Sequence, residues 1–139
     1  MRKEDIKVGH IYYVDFNPTR KGEFDREHLA VVLKKNRNEV TFIVIPLTGS
    51  DVGVGENKIE LNVTNQLPFH LRKKKTYAVY DQIRTLSASR FHQLYEGDVI
   101  IDSIVPEDEM DKLYEVIITN LLEDVKSDRK YEIIKSCLS

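Results

Sequence analysis

Three side chains in this 139-residue chain have the types and placement that phosphate chemistry asks for: His28, Arg26 and Thr48. An imidazole moves protons near neutral pH, a guanidinium grips a phosphate through paired N–H donors, and a threonine hydroxyl can donate to a non-bridging oxygen. His28 stands where a charged loop, Thr19 to Glu27, runs into the apolar segment Leu29–Leu33, and Arg26 lies two residues ahead of it. Thr48 follows the apolar segment Val40–Ile45 by three residues. If the two segments are hairpin partners, the start of one and the end of the other meet at one mouth of a small barrel. All three groups then surround one anion. A loop histidine alone is more often a surface or capping residue, so the convergence carries the reading, not the residue type.

The elements that must bring this about are β-strands. Gly9–Phe16 reads as a first strand that stops at the Asn17-Pro18 turn, and the polar loop after it is too charged to be buried. Val40-Thr41-Phe42-Ile43-Val44-Ile45 has the β-branched and aromatic content of a strand covered on both faces. Asn36-Arg37-Asn38 supplies a tight turn between Leu29–Leu33 and Val40–Ile45. Lys58–Val63 alternates outward Lys58, Glu60 and Asn62 with inward Ile59, Leu61 and Val63. Thr76–Ile83 is a fifth candidate strand. Asp51–Asn57, rich in glycine, reads as a mobile connection, and Ser87–Leu94 as short helical pieces.

After Val105-Pro106 the period becomes helical. Glu107, Asp108 and Glu109 suit the positive end of a helix dipole, and Met110, Leu113, Ile117, Leu121 and Val125 form one apolar stripe. Tyr114, Ile118 and Leu122 make a second apolar line that is free for a partner. Asp128 can cap a last short helix carrying Tyr131, Ile134 and Leu138. The chain therefore reads as one domain over 1–139, mainly β, with a C-terminal helical extension from about 107.

Composition narrows the classes. At 41% hydrophobic and 32% charged the chain is globular, and a net charge of -2 offers no bulk polycation, so any nucleic-acid contact must come from local clusters. Cys137 is the only cysteine, which excludes an internal disulfide and suits a reducing compartment. No apolar segment suggests a signal peptide or a membrane span, so a cytoplasmic location is expected. His10, His28, His70 and His92 show no metal-ligand spacing, and Gly49, Gly53 and Gly55 fit no phosphate-binding or dinucleotide loop. Neither metal nor cofactor is expected.

Four segments occur in a familiar order: Gly9-His10-Ile11-Tyr12-Tyr13-Val14-Asp15-Phe16-Asn17-Pro18, Ala30-Val31-Val32-Leu33, Ile45-Pro46-Leu47-Thr48 and Asp81-Gln82-Ile83-Arg84-Thr85-Leu86. With the closing helix, this order resembles the MazF/PemK toxin family of type II toxin–antitoxin systems. The resemblance implies an SH3-like barrel that forms a homodimer. It also implies a metal-independent endoribonuclease, sequence-selective for single-stranded RNA, held inactive by a protein antitoxin. The chemistry implied is attack of the substrate's own 2′-hydroxyl on the adjacent phosphate. The alternative is a non-catalytic binder on the same barrel, similar to the gyrase-poisoning toxins, or an inactive relative.

At one position the chain departs from the family. Arg-Pro usually precedes the second strand, and here the residues are His28-Leu29. Counting from Pro18, His28 occupies the place of the family's catalytic arginine, and Thr48 matches its threonine. Three outcomes compete: His28 acts as acid or base, Arg26 swings in to stabilise the phosphorane, or the site is inactive. His28 with Arg26 assisting is the favoured one. For RNA binding, Lys73, Lys74 and Lys75 in the run that begins at Arg72 form a phosphate-tracking rim, although a solvated turn is the simpler reading. Phe24, Phe69 and Tyr77 are available as stacking platforms, Phe24 foremost. Arg84 is expected to be structural, paired with Asp81 or Asp15.

Overall fold

A computed structural model describes residues 1–17 and 26–121. Expectations placed on the rest of the charged loop, Phe24 included, and on positions past Leu121, including Val125, Asp128 and Cys137, lie outside the described residues.

The strands are β1 (His10–Asp15), β2 (Glu27–Lys35), β3 (Thr41–Thr48), β4 (Lys58–Leu61), β5 (Thr76–Val79), β6 (Arg84–Ser87), β7 (Phe91–His92), β8 (Leu94–Glu96), β9 (Val99–Ile101) and β10 (Ser103–Ile104), followed by helix α1 (Glu107–Leu121). One antiparallel sheet runs in the order β10-β1-β2-β3-β5-β4, and β8 and β9 form a separate hairpin. The sheet branches at two strands. β3 pairs with β6 through Thr41–Val44 and with β5 through Leu47 and Thr48, while β1 pairs with β10 at one end and β7 at the other. Branching curls the sheet into a barrel-like form without closing it.

The long apolar runs in β2 and β3 follow from this arrangement, because both faces of the central strands are covered. On one face Tyr12, Val14, Phe16, Ala30, Val32, Phe42, Val44 and Phe91 form a core. On the other, Ile11, Val31, Leu33, Ile45 and Leu47 pack with Leu61, Val63, Met110 and Leu113. The turn between β2 and β3 is built as the Asn-rich sequence suggests. Asn38 Oδ1 accepts from the Val40 and Thr41 backbone N–H groups at 3.0 Å each, and Glu39 takes the left-handed φ of 62°. The register of β2 on β3 slips between Val32 and Lys34, leaving Leu33 as a bulge.

Several expectations need correction. Val40 lies before β3 and is exposed, so the doubly buried strand begins at Thr41. Thr76–Ile83 is not one strand: β5 ends at Val79, and a turn closed by Gln82 N–H to the Val79 carbonyl at 3.2 Å separates it from β6. The break lets one stretch of chain pair with both halves of β3. Ser87–Leu94 holds a single 3-10 turn, Ala88–Arg90, and then strand. Its helical spacing misleads because Phe91 and Leu94 enter opposite cores. The Asp51–Asn57 connection is a series of hydrogen-bonded turns with Gly53 and Gly55 at positive φ.

Helix α1 begins, as expected, immediately after Pro106, whose carbonyl accepts the Met110 N–H at 3.0 Å. Met110 and Leu113 are buried against the sheet. The second apolar line is not wholly free, since Tyr114 is half-buried and donates its hydroxyl to the Leu33 carbonyl at 2.5 Å. Among the described residues no helix is long and apolar enough to cross a membrane.

Candidate active site

β2 begins at Glu27 and β3 ends at Thr48, and the pairs Val31↔Ile45 and Ala30↔Pro46 run toward those two ends. Carried two residues further, the same register sets His28 opposite Thr48. Strand alternation puts both on the side of Ala30 and Val32. There the His28 ring meets the buried Phe16 edge-on, with ring centres 6.2 Å apart and planes at 69°. Thr48 Oγ1 accepts the Ser50 N–H at 3.2 Å, and its own hydrogen remains available to donate.

A cleft of about 260 Å³ opens at this mouth. The strand ends supply one wall through Tyr13, Glu27, His28, Leu29, Leu47 and Thr48. The segment 67–73 lines it as well, through Leu67, His70, Leu71 and Lys73. Gly49 sets how closely the walls approach. A Cβ at this position would stand 2.7 Å from Lys73 Cγ and 2.9 Å from Lys73 Cβ, so only glycine fits without moving the segment.

His28 and Thr48, far apart in the chain, thus border one cavity. Arg26 does not line it. Its side chain is exposed, its φ is 60°, and its backbone closes the foot of the charged loop, where its N–H donates to Asn17 Oδ1 at 3.1 Å and its carbonyl accepts the Phe16 N–H at 2.9 Å. Two further arginines hold that foot. Arg84 Nη1 donates to the Phe16 carbonyl at 2.6 Å with its guanidinium 5.5 Å from the Phe16 ring centre, and Arg90 Nη1 donates to the Asn17 carbonyl. Arg84 is therefore structural, acting through a carbonyl, while Asp15 meets Arg90 at 3.7 Å and Asp81 accepts from Asn57.

The basic run divides. Lys73 lines the cleft, Lys74 is exposed, and Lys75 reaches Glu60 at 3.8 Å. Arg72 turns back on its own loop, donating to the Leu67 and Asn65 carbonyls at 3.0 and 3.1 Å and lying over the Phe69 ring. Phe69 is 75% exposed, whereas Tyr77 at 5% is buried and offers no platform. Sequence reasoning missed His70 and Arg90. No local pattern marks either one; His70 joins the site only because the excursion after β4 folds back over Gly49. Among the described residues no three His, Cys, Asp or Glu side chains group as a metal ion would need.

Residues 7–121 match the family described as PemK-like, MazF-like toxin of type II toxin-antitoxin system. Solved structures agree on the fold. MazF (Form-I) from Deinococcus radiodurans is 23% identical with a TM-score of 0.59, covering 85% of this chain and 96% of that one. The MazE-MazF structure (Form-II) from the same organism gives 24% identity and a TM-score of 0.55 over 86% and 96%. An endoribonuclease in complex with its cognate antitoxin from a mycobacterial species gives 16% and 0.57 over 84% and 94%. No curated protein matches the chain. The family match spans the cleft, the branched sheet and α1 alike, and the chain belongs to the PemK-like, MazF-like toxins of type II toxin–antitoxin systems.

Proposed function

We propose that this toxin is an endoribonuclease that cuts single-stranded RNA at a short sequence without a metal ion. The substrate's 2′-hydroxyl attacks the adjacent phosphorus and leaves a cyclic phosphate and a free 5′-hydroxyl. His28 transfers a proton, Thr48 donates to a non-bridging oxygen, and Arg26, outside the cleft lining, swings in from the loop foot to counter charge on the phosphorane. The observation that carries this reading is the β2–β3 register, which sets His28 opposite Thr48 at the mouth of a cleft.

Lys73 tracks the RNA backbone, with Lys74 beside it and Lys75, held toward Glu60, in a lesser part, and Phe69 and Phe24 offer rings for bases to stack on. One similar structure is that of an endoribonuclease bound to its antitoxin and another is a MazE-MazF complex, which supports the same activity and a protein antitoxin for this chain. The working form is a homodimer in the cytoplasm.

The test is incubation of the purified chain with a long RNA in the presence of a chelator, with the new 5′ ends mapped. Cuts at one short motif with 5′-hydroxyl ends are expected. His28→Ala should lower the rate by roughly 10²–10⁴-fold and Thr48→Ala by roughly 10²–10³-fold, with folding unchanged by circular dichroism. Cleavage that requires an added divalent cation would overturn the mechanism. RNA bound but never cut would identify the non-catalytic binder instead.

A further inference from the structure

We propose that His70 is the second proton-transfer residue of this site, supplying the proton that the departing 5′-oxygen needs. The inference rests on the endoribonuclease reading and adds a residue to it. Cleavage by the 2′-hydroxyl is an in-line displacement, so the entering and leaving oxygens lie on opposite sides of phosphorus. A single imidazole cannot reach both in one step. A cleft that takes a proton on one wall needs a donor on the other.

His28 and His70 both line the one cleft, His28 from the start of β2 and His70 from the segment that lies against Gly49. His70 belongs to the 3-10 turn Phe69–Leu71, whose backbone is braced from several directions. The Phe69 N–H donates to Glu96 Oε1 at 2.6 Å, the Leu71 N–H donates to the Pro68 carbonyl at 2.9 Å, and Arg72 clasps the Leu67 and Asn65 carbonyls. The Thr64 and Thr76 hydroxyls, 2.9 Å apart, close the base of the excursion. Gly49 lets this braced segment lie against the end of β3, immediately after Thr48. A fixed turn thus holds an exposed imidazole at the rim, where a departing RNA end meets solvent, while His28 is half-buried beside Thr48. The charged groups around His70 are Lys73 and Arg72 on its own segment, Glu96 on β8, and Glu27 and His28 among the other residues that line the cleft.

The step balances. The 2′-oxygen–phosphorus bond forms as the phosphorus–5′-oxygen bond breaks, neutral His28 takes the 2′-hydroxyl proton, and protonated His70 gives its proton to the 5′-oxygen. The products are the cyclic phosphate and the 5′-hydroxyl end, with His28 protonated and His70 neutral. Exchange with water resets both.

The experiment compares the unmodified protein, His70→Ala and His70→Gln on an RNA spanning one mapped cut, and on the same RNA with sulfur replacing the bridging 5′-oxygen. A thiolate leaves without being protonated. On the oxygen substrate His70→Ala should lose roughly 10²-fold or more and should lose the alkaline limb of the pH–rate profile. On the sulfur substrate it should cut at nearly the unmodified rate, and His70→Gln should behave alike. Unchanged cleavage of the oxygen substrate by either variant would overturn the proposal. So would an equal loss on both substrates with the alkaline limb intact, the pattern of a merely structural residue. If the unmodified protein cuts neither RNA, the endoribonuclease reading itself falls and this inference falls with it.

Discussion

Tyr114 donates its hydroxyl to the Leu33 carbonyl at 2.5 Å, which joins α1 to the residue that the β2–β3 register skips. The bulge frees a carbonyl from the ladder, and the helix satisfies it. Burial, then the nearby Asp111 carboxylate, raises the Tyr114 pKa, so the hydroxyl stays protonated and able to donate. Tyr114→Phe keeps the ring and removes the donor. It should cost about 1 kcal/mol, read as a lower urea midpoint at unchanged slope.

Glu109 fastens the first turn of the helix. Its carboxylate accepts the Asn62 backbone N–H at 3.0 Å and meets Lys112 Nζ at 3.0 Å. Burial pushes its pKa up, but these donors and the lysine charge outweigh burial and hold it below the usual 4.5. A depressed folded-state value means that the stabilisation is complete above the unfolded value and fades as pH falls through the folded one. Glu109→Gln should therefore destabilise by about 1–2 kcal/mol near pH 7. The two proteins should converge in stability as pH falls through that depressed folded-state value. A constant gap across an acid titration would contradict this.

Gly49 tests whether the walls of the cleft must touch. Gly49→Ala removes no chemical group, yet it forces the Lys73 segment away from the end of β3. RNA cleavage should fall by roughly 10-fold or more, because small misplacements of reacting groups are costly. Thermal stability should move by only a few degrees. Full activity in this variant would show that the segment 67–73 plays no part in the reaction.

Lys73 and Lys75 should separate in a salt titration. Lys73 borders the cleft, and Lys75 is engaged with Glu60 on the neighbouring strand. Lys73→Ala should lower the slope of log affinity against log salt by roughly 0.7 for single-stranded RNA. Lys75→Ala should leave it nearly unchanged.

Much of the scaffold was legible because its signals are local. The β-branched content of β3, the asparagines of the β2–β3 turn and the acidic first turn of α1 each act on a few neighbouring residues. His28 and Thr48 were legible as a pair for a related reason: antiparallel strands joined by a short turn bring matched positions together at a predictable offset. The failures are long-range. Phe91 and Leu94 share a helical spacing, yet tertiary packing sends them to opposite cores. Thr76–Ile83 has strand composition throughout, and the need to pair with both halves of β3 breaks it. Of the basic run, only the fold reveals that Lys73 alone lines the cleft, and His70 lies in a segment whose local sequence points to nothing.

Because β3 is flanked on one side by β2 and on the other by both β5 and β6, its backbone donors and acceptors are spent within the molecule. Among the described residues the main sheet then ends on four short margins, β10 and β7 of two residues and β4 and β6 of four, and β4 carries Lys58 and Glu60. A neighbouring molecule finds little exposed ladder to extend, which is how proteins rich in strands avoid growing into fibres. Assembly with another chain is thereby steered toward contact between side chains, where shape and charge can discriminate one partner from the next.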